Sequence, residues 1–177
     1  MSATLSQLTG QTVSPDPVIT GVTADSRKVK PGFLFAALPG SKVDGRAFVA
    51  GAVAAGAAAI LAPDDVSHPT VPVIHAHDLR RAYALAAAGF WGAQPPVCVA
   101  VTGTNGKTSV ATFCRQIFAR LGHRAASMGT LGVTVSAPGA ADVQITPPGL
   151  TTPDAADVAE LMAKLAANGV THVALEA

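Results

Sequence analysis

The chain has 177 residues, of which 49% are hydrophobic and 13% charged, with a formal net charge of +1. At the usual ~100–150 residues per domain this is one full domain and part of another, with enough apolar material for a packed core rather than a disordered chain. The near-zero charge and the lack of any Lys/Arg cluster exclude a polyanion-binding surface, so no nucleic-acid partner is expected.

Met1 to Gln11 is polar and lacks the basic start and apolar run of a signal peptide. Phe33 to Leu38 reads as a buried strand closed by Pro39-Gly40. Residues 45–57 read as a helix, with Phe48/Ala52 and Val49/Val53 as one-turn pairs. The Ala/Gly-rich stretch from Ala50 to Ala62 is too short to cross a bilayer, so a cytoplasmic protein without a membrane partner is expected. Ala59-Ile60-Leu61 and Val71 to Ile74 read as short strands, and Asp78 as the N-cap of a helix reaching about Trp91. Gly92-Ala93-Gln94-Pro95-Pro96 cannot continue a helix and marks a linker, which divides the chain into residues 1–94 and 95–177.

Val97 to Val101 is a continuous apolar run, of the kind buried on both faces in a parallel sheet. A loop follows from Thr102 to Gly106. Residues 107–121 then carry an apolar stripe at Val110, Phe113, Cys114, Ile117, Phe118 and Leu121, stopped by Gly122. Pro138 to Leu150 reads as an irregular excursion. Thr152-Pro153-Asp154 reads as a helix start, with Val158, Leu161, Met162 and Leu165 as its buried face and Asn168-Gly169 as its end. Val170 to Ala177 opens another strand. A domain seldom ends inside a core strand, so the chain is expected to be a piece of a longer one and inactive alone. The alternation of apolar runs and helical patterns indicates an α/β protein: a small N-terminal α/β domain, then the start of a second domain with a mostly parallel sheet, which the Gly103–Ser109 loop after its first strand marks as a P-loop domain.

Cys98 and Cys114 fit apolar positions and are expected as buried free thiols. His75 and His77 alternate at a strand end, but two ligands without a third make a weak metal site.

The chemistry sits in Gly103-Thr104-Asn105-Gly106-Lys107-Thr108-Ser109, between the Val97–Val101 strand and an amphipathic helix. A helix N-terminus offers unpaired N–H groups and a partial positive charge, and glycines let the backbone approach phosphate oxygens. Lys107 adds a cation for the β- and γ-phosphates of ATP, and Thr108 a hydroxyl for the accompanying Mg²⁺. The usual P-loop spacing would put a glycine where Val101 stands; this loop uses Gly103 instead.

That variant resembles the Gly-Thr-Asn-Gly-Lys-Thr-Ser loop of the Mur ligases, which build peptidoglycan precursors. Asp25-Ser26-Arg27, Pro31-Gly32, Leu34 to Gly40, Asp44-Gly45-Arg46 with Phe48, and Ala52 with Gly56-Ala57 are similar to the N-terminal domain of that family. Met128-Gly129-Thr130, Leu150 to Asp154 and Ala174 to Ala177 resemble its diamino-acid-adding branch. The resemblance covers nearly the whole chain, in the family's order. It implies a ligase that phosphorylates the D-glutamyl carboxylate of a UDP-N-acetylmuramoyl-dipeptide with ATP, then lets lysine or diaminopimelate displace phosphate. It also implies that Ser26 and the Ser41-Lys42-Val43 segment contact the uridine diphosphate end. Thr151 and Thr152 would contact the muramoyl peptide, Thr152 doubling as an N-cap, and Glu176 would hold Mg²⁺. Ser41 to Val43 match by position more than by identity. The family's catalytic His, its carbamate-bearing Lys and its amino-acid pocket belong to sequence beyond this chain.

Two rival readings remain open. One is the D-alanyl-D-alanine-adding branch, which carries an Asn-rich segment in place of Thr-Thr-Pro; the other is a non-catalytic nucleotide-binding module, against which Lys107-Thr108 argues. Folylpolyglutamate synthetases share the loop but lack the Asp-Ser-Arg domain, and no guanine-reading Asn-Lys-x-Asp supports a GTPase. The choice between lysine and diaminopimelate is not encoded here. Nothing bears on oligomeric state, and a monomer is the expectation.

Overall fold

The computed structural model describes residues 1–40, 44–146 and 154–177. Its contacts divide into two units: Met1–Gly92 with Asp154–Glu160, and Ala93–Pro153 with Leu161–Ala177.

In the first unit, β1 (Ala3–Thr4) pairs antiparallel with β2 (Val18–Ile19). Between them lies α1 (Leu5–Thr9), opened by a reciprocal capping box of Thr4 and Gln7. The main sheet has the order β3 (Gly21–Thr23), β4 (Phe33–Ala36), β5 (Ala59–Ala62), β6 (Val73–His75), with every pairing parallel. Three of its strands, β4, β5 and β6, are the short apolar runs read in the sequence, whereas β3 is not among them; Leu34, Phe35, Ile60 and Leu61 are buried. The 45–57 segment is less regular than its periodicity predicts: a 3₁₀ turn over Gly45–Phe48 leads into α2 (Val49–Ala54). Val49 and Ala52 are buried, whereas Phe48 is exposed. The helix α3 (Leu79–Trp91) starts at Asp78, whose carboxylate accepts the Arg81 N–H at 2.9 Å, and stops at Gly92.

The second unit holds a sheet of order β10 (Val143–Thr146), β9 (Gly132–Ser136), β8 (Ala125–Gly129), β11 (His172–Glu176), β7 (Val97–Val101). β11 runs parallel to both β7 and β8, while β8–β9 and β9–β10 are antiparallel. Part of the stretch expected to be irregular is thus a strand, β10, because β9 offers it a free edge. α4 (Lys107–Arg120) follows β7 directly. α5 (Ala155–Ala167) begins among the residues grouped with the first unit and ends among those of the second. Met162 and Leu165 are buried and Val158 and Leu161 half-buried. The expected Thr152 cap lies outside the described residues; at the start of α5, Asp154 accepts the Ala156 N–H at 2.9 Å.

Three expectations about burial are corrected. β7 is the end strand of its sheet among the described residues, so Val97 and Cys98 are exposed rather than buried on both faces. Cys114 is half-buried, and both thiols are free. On α4 the buried residues are Ala111 and Arg115, while Phe113 is 59% and Leu121 67% exposed, with Val110 and Ile117 also exposed. The helical period holds, but the face packed on β8, β9 and β11 is the narrower one, where Ala111 permits close approach and Arg115 finds partners. Among the described residues, no helix is long and apolar enough to cross a membrane.

Candidate functional site

In the second unit, parallel strands deliver their carboxyl ends to one edge, where open α/β sheets bind ligands. β7 ends at Val101 and runs through Thr102 to Gly106 into α4. Gly103 (φ 144°) and Gly106 (φ 79°) occupy backbone conformations that side-chain-bearing residues rarely adopt. Among the described residues no side chain caps the N-terminus of α4, and Thr104, Asn105 and Ser109 are exposed. Its first-turn N–H groups, including those of Lys107 and Thr108, therefore depend on outside acceptors. Lys107 folds back over the loop, its Nζ donating to the Gly103 carbonyl at 2.7 Å.

Glu176 reaches the same edge. It lies opposite Val101 in the β11–β7 register, and the Val101 carbonyl accepts the Ala177 N–H at 2.9 Å. Its Oε1 accepts the Thr130 N–H at 3.2 Å and its Oε2 the Thr130 hydroxyl at 3.0 Å. Thr130 was visible in the sequence only as part of a family-like triplet, with no role attached. The described residues thus bring the Gly103–Ser109 loop and Glu176 to adjacent strand ends.

Behind the loop, α4 is pinned by Arg115, which is 4% exposed. Its guanidinium donates to Ser127 Oγ at 3.1 Å, to Asp142 Oδ2 at 2.6 Å and to Ser136 Oγ, and Ser136 Oγ donates to Asp142 Oδ1 at 2.5 Å. The Ser136 hydroxyl and Arg115 hold the Asp142 carboxyl below its ordinary range. An arginine inside an apolar stripe gave no hint of these partners.

In the first unit, the carboxyl ends of β3 and β4 open onto a cleft of about 620 Å³, lined by Asp25, Ser26, Arg27, Leu38, Gly45, Phe48 and Asp154, among others. Two Asp-x-Arg segments build it by the same local device. Asp25 accepts the Arg27 N–H at 3.0 Å and grips its guanidinium at 2.9 and 2.7 Å, opening a 3₁₀ turn at Ser26–Lys28. Asp44 accepts the Arg46 N–H at 2.9 Å and its guanidinium at 2.8 and 2.5 Å, opening the turn at Gly45. The residue between the acid and the base, Ser26 or Gly45, faces the cleft in each case. A Cβ on Gly45 would stand 2.6 Å from the Leu38 backbone nitrogen, so this wall needs glycine. Arg27's side chain, then its backbone N–H, lowers the Asp25 carboxyl from its ordinary 3.8 to about 2.

Ser41, Lys42, Val43, Thr151 and Thr152 lie outside the described residues. His75 ends β6 with its ring Nδ1 3.0 Å from the Pro63 carbonyl oxygen. His123 and His172, far apart in the sequence, stack on each other at 3.9 Å. Among the described residues, no trio of His, Cys, Asp or Glu is placed to hold a metal ion.

Known proteins match this arrangement. Residues 18–91 fit the Mur ligase family catalytic domain and residues 101–177 the Mur ligase middle domain. The chain is 70% identical to a UDP-N-acetylmuramoyl-L-alanyl-D-glutamate--2,6-diaminopimelate ligase of Caulobacter vibrioides, covering 100% of this chain and 37% of that protein. A ligase of the same name from Brucella melitensis is 52% identical, covering 90% of this chain and 32% of the relative. The chain therefore spans about a third of the length of the curated relatives it matches. A solved structure of a UDP-N-acetylmuramoyl-L-alanyl-D-glutamate--2,6-diaminopimelate ligase superposes with TM-score 0.81 and 25% identity, over 100% of this chain and 36% of that one. The MurF ligase of Thermotoga maritima shares the fold at TM-score 0.54 and 20% identity, over 88% of this chain and 31% of that one. With two successive family models matched across most of its length, the chain belongs to the Mur ligase family.

Proposed function

We propose that this chain supplies the UDP-substrate cleft and the ATP site of a ligase that joins a diamino acid to the D-glutamyl carboxylate of UDP-N-acetylmuramoyl-L-alanyl-D-glutamate. Residues 1–94 would hold the UDP-linked substrate and residues 95–177 begin the ATP-binding domain. The observation that carries the reading is the meeting of an uncapped, glycine-shaped phosphate loop and Glu176 at adjacent strand ends. The names of the relatives favour diaminopimelate over lysine as the amine, and over D-alanyl-D-alanine as the added unit. UDP-linked precursors and ATP are cytoplasmic solutes, which fits a cytoplasmic enzyme.

A carboxylate is a poor acyl donor. One of its oxygens attacks the γ-phosphorus of ATP, and ADP leaves. The amine then attacks the acyl carbon of the resulting acyl phosphate, phosphate departs with the electron pair of the broken C–O bond, and the nitrogen loses a proton. The chain's part is positioning and charge neutralisation. The amides from Gly103 to Ser109 would cradle the phosphates, and Lys107 would exchange the Gly103 carbonyl for a phosphate oxygen as negative charge builds. The Thr108 hydroxyl and the Glu176 carboxylate, pre-oriented by Thr130, are hard oxygen donors that suit Mg²⁺. Mg²⁺ held there would offset the charge of the phosphates. Ser26 and Ser41 to Val43 would bind the uridine diphosphate end, and Thr151 and Thr152 the muramoyl peptide.

The test is to supply the product of the full reading frame with ATP, Mg²⁺, the UDP-linked dipeptide and 2,6-diaminopimelate. ADP, phosphate and a UDP-linked tripeptide should form only when all are present. ATP turnover independent of the dipeptide, or no tripeptide, rejects the reading.

A further inference from the structure

One wall of the Ser26 cleft is tied to the core by a buried link that no motif announced. Tyr83, on α3 and 2% exposed, accepts the Ala24 N–H at 3.1 Å and donates its hydroxyl to Asp154 Oδ1. The same Asp154 oxygen accepts the Ala156 N–H at 2.9 Å, and Asp154 lines the cleft beside Asp25, Ser26 and Gly45. A single phenol therefore spans the residue that leads into the Asp25-Ser26-Arg27 turn and the residue that opens α5. Burial first, then Asp154, pushes the Tyr83 hydroxyl above its ordinary range, so it remains a neutral donor.

We propose that Tyr83 and Asp154 form a positioning couple for the UDP-linked substrate, setting the spacing between the Ser26 turn and the start of α5. The inference deepens the proposed function and rests on that reading of the cleft. Ser26 sits two residues after Ala24, and Asp154 itself lines the cleft, so the couple joins two walls of one cleft. Walls fixed before binding spare the ligand the cost of ordering them. Neither Tyr83 nor Asp154 needs to touch reacting atoms. Removing the hydroxyl leaves the ring packed in the first unit's core, where Tyr83 lies among Leu5, Ile19 and Leu79, but leaves the Ala24 N–H and Asp154 without their common partner.

The experiment uses the full-length ligase and combines calorimetric binding of the UDP-linked dipeptide with steady-state kinetics. Tyr83→Phe should raise its Kd and KM about tenfold, which is about 1.4 kcal/mol, while kcat and the KM for ATP stay within about twofold. Asp154→Ala should give a similar rise, and the double variant no more than the larger single one, the mark of one coupled unit. Asp154→Asn keeps a side-chain oxygen for both donors and should recover most of the affinity. If Tyr83→Phe fails to fold, the Asp154→Ala and Asp154→Asn pair carries the same comparison. Lowered thermal stability with unchanged Kd, additive effects in the double variant, or equal losses for ATP and the UDP substrate would each overturn the proposal. A parent enzyme that does not bind the UDP-linked dipeptide at all overturns the reading of the cleft, and this proposal with it.

Discussion

Gly129 and Glu176 lie side by side at the ends of β8 and β11, and a Cβ on Gly129 would run into the Glu176 carboxylate. The next residue, Thr130, takes hold of both carboxylate oxygens. Gly129 leaves the space and Thr130 supplies the donors, so the two form a seat for one acidic side chain at the strand end next to the Gly103–Ser109 loop.

Gly129→Ala should therefore push Glu176 out of its seat. In the full-length enzyme the Mg²⁺ concentration giving half-maximal ATP turnover should rise on the order of tenfold or more, as for loss of other groups that orient a metal ligand. Thr130→Val should act the same way without adding bulk. An unchanged Mg²⁺ requirement in both variants would separate Glu176 from the metal.

Lys107→Ala should reduce acyl-phosphate formation at least about 100-fold, the order seen when one pre-placed electrostatic stabiliser is removed. The folded state loses only one exposed hydrogen bond to Gly103, so the unfolding temperature should stay close to that of the parent. Ligase activity within a few-fold of the parent would refute the assigned role.

Arg115→Leu should destabilise the second unit by about 2 kcal/mol, the usual cost of losing hydrogen bonds to a charged group. The Asp142 side chain is half exposed and can rehydrate, which keeps the loss from being larger. Urea unfolding of the purified chain measures it. Asp142→Asn should cost less, because an amide oxygen can still accept from Ser136 and Arg115.

Stability should also fall on acidification, through Asp25. Its folded-state value of about 2 lies below the ordinary 3.8. A depressed carboxylate contributes stability above the unfolded value and loses it as pH falls through the folded one. The parent's unfolding temperature should accordingly drop between about 3.8 and about 2. Asp25→Asn, which keeps an acceptor for the Arg27 N–H, should flatten that part of the profile in a thermal scan across pH. Superimposable profiles would exclude the Asp25–Arg27 pair as a source of acid sensitivity.

The features legible in the sequence are those made by neighbours along the chain. The glycine turn from β7 into α4, the Asp78 cap and the Asp-x-Arg segments are each closed within a few residues, so residue type and spacing suffice to specify them. Tertiary structure alone decided which face of a helix is covered. The α4 stripe has the right period, yet the sheet covers Ala111 and Arg115, because Ser127, Ser136 and Asp142 satisfy the guanidinium there. The same holds for Thr130 with Glu176, Tyr83 with Asp154 and His123 with His172, whose partners lie far along the chain. Periodicity records that a side chain is apolar or polar at a given turn; it does not record what stands opposite, and a buried hydrogen bond depends on both partners.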